Sequence, residues 1–254
     1  NVVKKQVNKL SYTFYKKIYK NKKYDRYIIV DLLGEGRYGL CFLAKNIETS
    51  ALVVIKKLKY SVSNHSQKHI PEAVFLSQLN HKNIPQFLGV INSKNFYAYV
   101  FEFIEGDTIN HLLFEKKHKF NNKEIYNIGI QLIEIIKFIH SNNIIHKDIS
   151  ISNVILNKNE LFLIDFGLAR QYEEGIYSYD MDFSHLGDFL LYLLYSSYEV
   201  TDNKRKLPWY EELPLKNNQI MFLKKLLGIE EKYKNTNDVL NDFIEVFKIY
   251  NIKE

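Results

Sequence analysis

The sequence predicts an α+β fold, with a strand-rich first part and a mainly helical second part. Two patterns carry this reading. Residues 27–104 hold short runs rich in Val, Ile, Leu, Phe and Tyr, broken by glycine or Asn/Ser turns, which is the grammar of strands. Residues 108–250 hold longer stretches whose apolar residues return every three or four positions, which is the period of helices. Strands grouped ahead of helices, instead of alternating with them, mark an α+β chain.

The whole chain sets bounds on function. Its 254 residues suit one large domain or two small lobes, and 46% hydrophobic with 15% aromatic residues can fill a sizeable core. The single Cys41 excludes an intrachain disulfide, so a reducing, cytoplasmic setting is expected. No run of about 18 apolar residues is present to span a bilayer. The basic N-terminus has no apolar stretch behind it, so a secretory signal is not expected. The net charge of +6 is unevenly spread: residues 1–24 hold eight Lys and no Asp or Glu. The other 230 residues carry 27 basic and 29 acidic side chains, a net of −2. No specific nucleic-acid binding is therefore expected of the body.

Residues 1–23 form a basic arm. Val3, Val7, Leu10, Phe14 and Ile18 make a helical stripe with lysines around it. The arm docks on the neighbouring lobe of its own chain, or else on an acidic partner or an anionic membrane as a peripheral contact. Asn21–Asp25 is a polar link, and the domain starts near Tyr24.

Residues 27–33 read as a strand, followed by Gly34, Gly36 and Gly39 spaced as G-x-G-x-x-G. Leu40, Phe42 and Ala44 then restart a strand, and 51–58 is a third. A dinucleotide-binding fold would place a helix directly after the glycines and an acid about 20 residues on. Here a strand follows, and Lys56 lies 22 residues after Gly34. A glycine hairpin of this kind lets backbone N–H groups approach phosphates without Cβ obstruction. Lys56 ends a buried-looking VVIK strand and needs a counter-charge; Glu72, in a helix begun by Pro71 and running to Leu79, is the candidate. Taken alone, Lys56 also reads as an exposed strand-end lysine and Glu72 as a solvated helix residue. Strands follow at 86–90 and 96–104, then a short helix over 108–118. A long helix, Lys123–Ser141, buries Ile128, Leu132, Ile135, Ile136 and Ile139.

Residues 140–170 place three oxygen-bearing side chains at fixed offsets on loops held by apolar segments: Asp148, Asn153 five residues on, and Asp165 seventeen residues on, after the strand Leu161–Ile164. Phosphoryl transfer with a hard metal needs such a set. His146 reads in isolation as a base.

Together these motifs resemble the protein kinase superfamily, whose H-R-D-L-x-x-x-N and D-F-G signatures are nearly spelled by His146–Asn153 and Asp165–Gly167. The compact chain looks like small bacterial serine/threonine kinases with a shortened activation segment. The resemblance covers about residues 24–250. It implies a bilobal fold with a β-rich N-lobe over 24–104 and a helical C-lobe over 105–254. It implies ATP with Mg²⁺ or Mn²⁺ as cofactors and a protein substrate. Asp148 would orient the acceptor hydroxyl, Asn153 and Asp165 would hold the metal, and Lys56, paired with Glu72, would position the phosphates. Gly34, Gly36 and Gly39 would cover the phosphates. Cys41, Val54, Phe101 and Ile155 would line the adenine site, with Glu102–Ile104 as the hinge. His146 would be a packed structural residue touching the Phe of Asp-Phe-Gly.

The chain also departs from that family. Asp182 lies in DFSHLG, which resembles D-x-W-S-x-G, and would cap the following helix and hold the catalytic-loop backbone. Only seventeen residues separate it from Asp165, about half of what an activation loop, a substrate-positioning loop and A-P-E require. Tyr172, Tyr177, Ser178 and Tyr179 lie in this stretch, and nothing marks them as phosphosites. Lys147 stands where Arg is usual and cannot clamp a phosphate bidentately, so activation by loop phosphorylation is not expected. Ser150 stands where Ser/Thr kinases carry Lys, which would slow transfer by ~10²-fold if nothing replaces that cation. Leu207–Trp209 reads as a turn and anchor, and 220–227 and 239–250 as closing helices. Three functional readings follow: a protein kinase acting on Ser/Thr, a small-molecule phosphotransferase, and an ATP-binding regulatory module with little catalysis.

Overall fold

The structure is a computed structural model that describes residues 9–36, 39–58, 70–93, 95–199 and 207–248. In chain order its elements are α1 (Lys9–Tyr19), β1 (Lys23–Tyr24), β2 (Tyr27–Gly36), β3 (Gly39–Asn46), β4 (Leu52–Leu58), α2 (Ile70–Gln78), β5 (Phe87–Ser93), β6 (Phe96–Glu102), β7 (Asp107–Thr108), α3 (Ile109–Phe114) and α4 (Asn122–Ser141). Then come β8 (Ile144–Ile145), β9 (Val154–Asn157), β10 (Glu160–Leu163), a 3₁₀ turn (Phe166–Leu168), β11 (Arg170–Gln171), α5 (Asp180–Tyr195), α6 (Trp209–Glu212), α7 (Asn217–Leu226) and α8 (Thr236–Phe247). The chain divides into two compact units, Asn1–Asp107 and Thr108–Glu254, the first strand-rich and the second mainly helical. That is the α+β class expected. Among the described residues no helix is long and apolar enough to cross a membrane.

The first unit is built on one antiparallel sheet, ordered β1-β2-β3-β4-β6-β5. Its period-2 alternation divides the strands cleanly. Phe42, Val53, Ile55, Ala98 and Val100 join Ile29, Leu32 and Phe96 in one buried cluster. Tyr12, Tyr15 and Tyr19 of α1, with Tyr24, cover that cluster. Tyr24 stacks on Phe96 at 3.6 Å between ring centroids, and Tyr19 tilts onto Phe42 at 5.0 Å. Each such pair contributes roughly 0.5–1.5 kcal/mol beyond its buried area. The arm's helix therefore docks on its own lobe.

The docking face, however, differs from the stripe read in the sequence. Phe14 is 61% exposed, while the tyrosines three and four positions apart face the sheet. Val3 and Val7 and the side chain of Leu10 lie outside the described residues. The physical reason is the polar tip. A tyrosine covers as much sheet as a phenylalanine and keeps its hydroxyl at the rim, where Tyr12 Oη donates to Asp31 Oδ1 at 3.4 Å. Lys16 reaches the same carboxylate at 2.8 Å.

In the second unit α4 is the central helix. A capping box of Asn121 and Glu124 starts it, and Ile125, Ile128, Leu132, Ile135, Ile136 and Ile139 are buried along it, as the stripe required. It packs against α8 and α5. Gly129 allows the close approach of α8: a Cβ there would lie 2.1 Å from Phe243 Cζ. The strand β9 was not read in the sequence. It pairs antiparallel with β10, matching Val154 to Leu163, and this hairpin sets the site.

Candidate active site

In the first unit, register gathers the residues expected to meet a nucleotide. Cys41 is opposite Lys56, which is opposite Tyr99; Leu43 is opposite Val54, which is opposite Phe101. Directly opposed residues share a face. Cys41, Val54, Lys56 and Phe101 therefore stand on one face of the sheet, and the α1-covered core lies on the other. Lys56 is only 6% exposed, which settles against a solvated strand-end lysine. Gly34 and Gly36 end β2, paired with Cys41 and Gly39, after register shifts at Ile29/Asp31 and Leu32/Gly34 bend the strand. Gly39 has a packing reason to be glycine, since a Cβ would lie 1.8 Å from Lys57 O. Glu72 falls within α2, but its side chain, and so its pairing with Lys56, lies outside the described residues. At the end of β6, the Glu102 N–H is spent on Gln86 O at 2.9 Å, and residues 103–105 leave the ladder. Ile155 sits buried on β9 in the second unit.

In the second unit, a loop from His146 to Asn153 hangs from one carboxylate. Asp182 is fully buried and accepts the His146 N–H and the Lys147 N–H, each at 2.8 Å. His140 Nε2 donates to Asp182 Oδ2 at 2.9 Å, and His140 Nδ1 meets Thr236 Oγ1 at 2.8 Å. Burial alone would raise the Asp182 pKa. The hydrogen bonds from His140 and from the Lys147 N–H overcome it and hold the carboxyl below its ordinary value. Asp182 thus holds the loop backbone as expected. It does not cap α5, because the helix begins at Asp180 and Tyr179 occupies the capping position without a side-chain bond. Asp182 is the third residue of that helix, and its two oxygens are turned to two loop amides and an imidazole instead of to the helix end.

His146 is fully buried and lies edge-on to Phe166, 4.6 Å between centroids. Its Nδ1 accepts the Asp148 N–H at 3.2 Å, which fixes the loop's turn. Burial pushes its pKa down, against the pull of Asp182, Asp148 and Asp165, so the ring is neutral. Its contacts are those expected of a packed structural residue.

Asp148 and Asn153 are joined directly. Asn153 Nδ2 donates to Asp148 Oδ2 at 2.8 Å and to Asp148 O at 2.9 Å. The hairpin carries Asp165 to the same end: the Ile164 N–H donates to Asn153 O at 2.9 Å, extending the Val154–Leu163 register by one pair. Asn153 and Asp165 thus emerge from neighbouring strands, which run ~4.8 Å apart. Asp165 is held in the left-handed region (φ 67°, ψ 73°), and Lys147 has φ 63°. Non-glycine residues rarely adopt this region, and such strain collects at functional sites. Asn153 Oδ1 accepts no hydrogen bond among the described residues, so an amide oxygen and a carboxylate present hard oxygen donors, which suit Mg²⁺ or Mn²⁺. No cluster of three or more His, Cys, Asp or Glu that could hold a metal occurs among the described residues, so such an ion would draw further ligands from water or phosphate.

A family model for the protein kinase domain matches residues 27–206. This chain belongs to the protein kinase family. It is 37% identical over 225 residues to the Bacillus subtilis (strain 168) protein named Probable serine/threonine-protein kinase YbdM, a match covering 85% of this chain and 88% of that relative. It is 29% identical over 160 residues to Cell division control protein 2 homolog 3 of Trypanosoma brucei brucei, covering 62% and 51% of the two chains. It is 36% identical over 151 residues to Cyclin-dependent kinase-like 1 of Caenorhabditis elegans, covering 58% and 42%. This kinase therefore spans about half or less of those two longer relatives.

The kinase's short link after Asp165 has a definite form. β11 pairs with β8, and Glu173 and Tyr177 then close a tight turn around Gly175. Tyr172 stacks on Tyr179, and Tyr179 stacks on His140. Lys147 Nζ lies over the Tyr177 ring, 4.2 Å from its centroid. These aromatic residues work as packing. Sequence reasoning missed His140 and Thr236, the outer partners of Asp182. A histidine on the buried side of an otherwise isoleucine-lined helix was the available signal, because a buried imidazole needs a partner.

Proposed function

We propose that this kinase transfers the γ-phosphate of ATP to a Ser or Thr hydroxyl of a protein. The observation that carries the reading is the Asp148–Asn153 pair, fixed at 2.8 Å on a loop suspended from buried Asp182. A carboxylate held this rigidly, with its other oxygen left outside the pair, orients an acceptor hydroxyl and takes its proton. Asn153 Oδ1 and Asp165 hold Mg²⁺ or Mn²⁺, which when bound neutralises charge on the phosphates. From the first unit, Lys56 positions the α- and β-phosphates with Glu72 as its counter-ion, and the hairpin of Gly34, Gly36 and Gly39 covers them. Cys41 and Val54 of the same unit contact the adenine, and Phe101 guards the pocket behind it. The Ile104 backbone, which makes no hydrogen bond among the described residues although the residue is 7% exposed, bonds its edge beside Glu102.

A small-molecule acceptor is the second reading, favoured by the tight turn at Glu173–Tyr177 where a substrate-positioning loop would otherwise run. Incubation with γ-labelled ATP, either metal, and an acidic or a basic protein acceptor tests the proposal. Label on Ser or Thr of protein supports it. Label only on small molecules, or ATP binding with no transfer to any acceptor, sinks it.

A further inference from the structure

Next to the catalytic loop the second unit has a cavity of about 460 Å³ that the mechanism above does not use. Lys147, Asp180, Met181, His185, Leu226 and Lys232 are among its walls. Lys147 adjoins Asp148 in the chain, and consecutive Cα atoms are ~3.8 Å apart. Lys147 thus ties the cavity to the catalytic loop.

The polar wall is unbalanced. Asp180 is matched, with Lys232 Nζ 2.7 Å from its Oδ2 and Ser178 bonded to its Oδ1. Lys147 has no carboxylate partner among the described residues and rests only against the Tyr177 ring. His185 Nδ1 is shut off from solvent and has no hydrogen-bond partner among the described residues, a state that buried polar groups seldom keep. Two lysines and an imidazole thus face a single aspartate. Met181, Leu226 and Leu227 supply apolar surface beside them. The space far exceeds the ~30 Å³ share of one water, so it suits a side chain and its flanking backbone better than a bare ion. The fourteen residues 166–179 that link Asp165 to α5 are spent on the 3₁₀ turn, β11 and the Glu173–Tyr177 turn.

We propose that this cavity receives an Asp or Glu side chain of the protein substrate, so that the kinase selects hydroxyls with a carboxylate within about four residues. The apolar wall takes the methylene groups, and Lys147 and Lys232 take the carboxylate. This inference rests on the protein-kinase reading above, but its first test does not.

Fluorescent peptides with Ala in place of the acceptor, and either Glu or Gln flanking it, are titrated against the full chain by anisotropy. The Glu peptides bind about 10-fold tighter, an advantage that shrinks with salt. Lys232→Met abolishes the advantage and Lys232→Arg keeps it; His185→Leu, which leaves the ion pair intact, reduces it and serves if Lys232→Met does not fold. Equal binding of Glu and Gln peptides, or an advantage that survives in folded Lys232→Met, overturns the proposal. Ser-containing versions then separate the two ideas. Phosphorylation indifferent to Glu leaves the transfer reading standing without the cavity. Acid-selective binding with no phosphorylation does the reverse.

Discussion

Replacing Asp182 by Asn should loosen the catalytic loop and the second unit together. The carboxylate accepts three hydrogen bonds, at 2.8, 2.8 and 2.9 Å, inside a fully buried site. Asn keeps the shape but turns an NH₂ toward at least one of those donors. That leaves one buried donor unpaired, a penalty of about 1–3 kcal/mol. The other bonds lose their charge assistance, about 1 kcal/mol each. The sum is about 3–5 kcal/mol, a large part of the ~5–15 kcal/mol that holds a domain folded. Trp209 is the only tryptophan and lies in the second unit, so its fluorescence follows urea unfolding of that unit. With a urea m-value of about 2 kcal/mol/M, the midpoint should fall by roughly 2 M. Phosphotransfer should fall as well, because the backbone of residues 146 and 147 is what Asp182 holds. A midpoint unchanged within ~0.3 M would refute the claim that this carboxylate suspends the loop.

Gly129→Ala forces a Cβ into the Phe243 ring, and the second unit should lose about 1–3 kcal/mol or more by the same fluorescence assay. Tyr19→Ala removes its contacts with Phe42 and Phe96, and circular dichroism melting should show about 1–3 kcal/mol of destabilisation, whereas Lys16→Ala at the half-exposed Asp31 pair should change it by less than ~1 kcal/mol. Acid should act in two stages. His146 has its folded pKa pushed below the ordinary 6.5 by burial, so the unfolded chain takes up the proton first and stability falls as pH drops through and below 6.5. Asp182, held below the ordinary 3.8, contributes stability that is full above that value and is lost as pH falls beneath it. In His146→Leu the Trp209-detected slope between pH 5 and 6.5 should flatten by up to ~1.4 kcal/mol per pH unit; an unchanged slope would show that His146 is not the titrating group.

The parts legible in the sequence were those set by local chemistry. The isoleucine stripe of α4, the pairing of β2 with β3 at Gly36 and Gly39 and the Asp148/Asn153/Asp165 offsets each follow from period or spacing. What was not legible depends on partners distant in the chain. β9 is four residues long and only its pairing with β10 makes it a strand. The tyrosine face of α1 is chosen by the aromatic sheet surface it meets, which hydropathy along the helix does not reveal. Asp182 holds the loop as its motif implies, but α5 starts two residues ahead of it, and its carboxylate meets His140, 42 residues away, and two amides of the loop.

The central claim is that Asp148, fixed by Asn153, performs the transfer. Single-turnover transfer from γ-labelled ATP, comparing wild type with Asp148→Asn, tests it most directly. The Trp209 unfolding midpoint of each serves as the control for folding. The account predicts a loss of about 10²–10⁴-fold with little change in the midpoint. Wild-type transfer in the folded Asp148→Asn protein would contradict it.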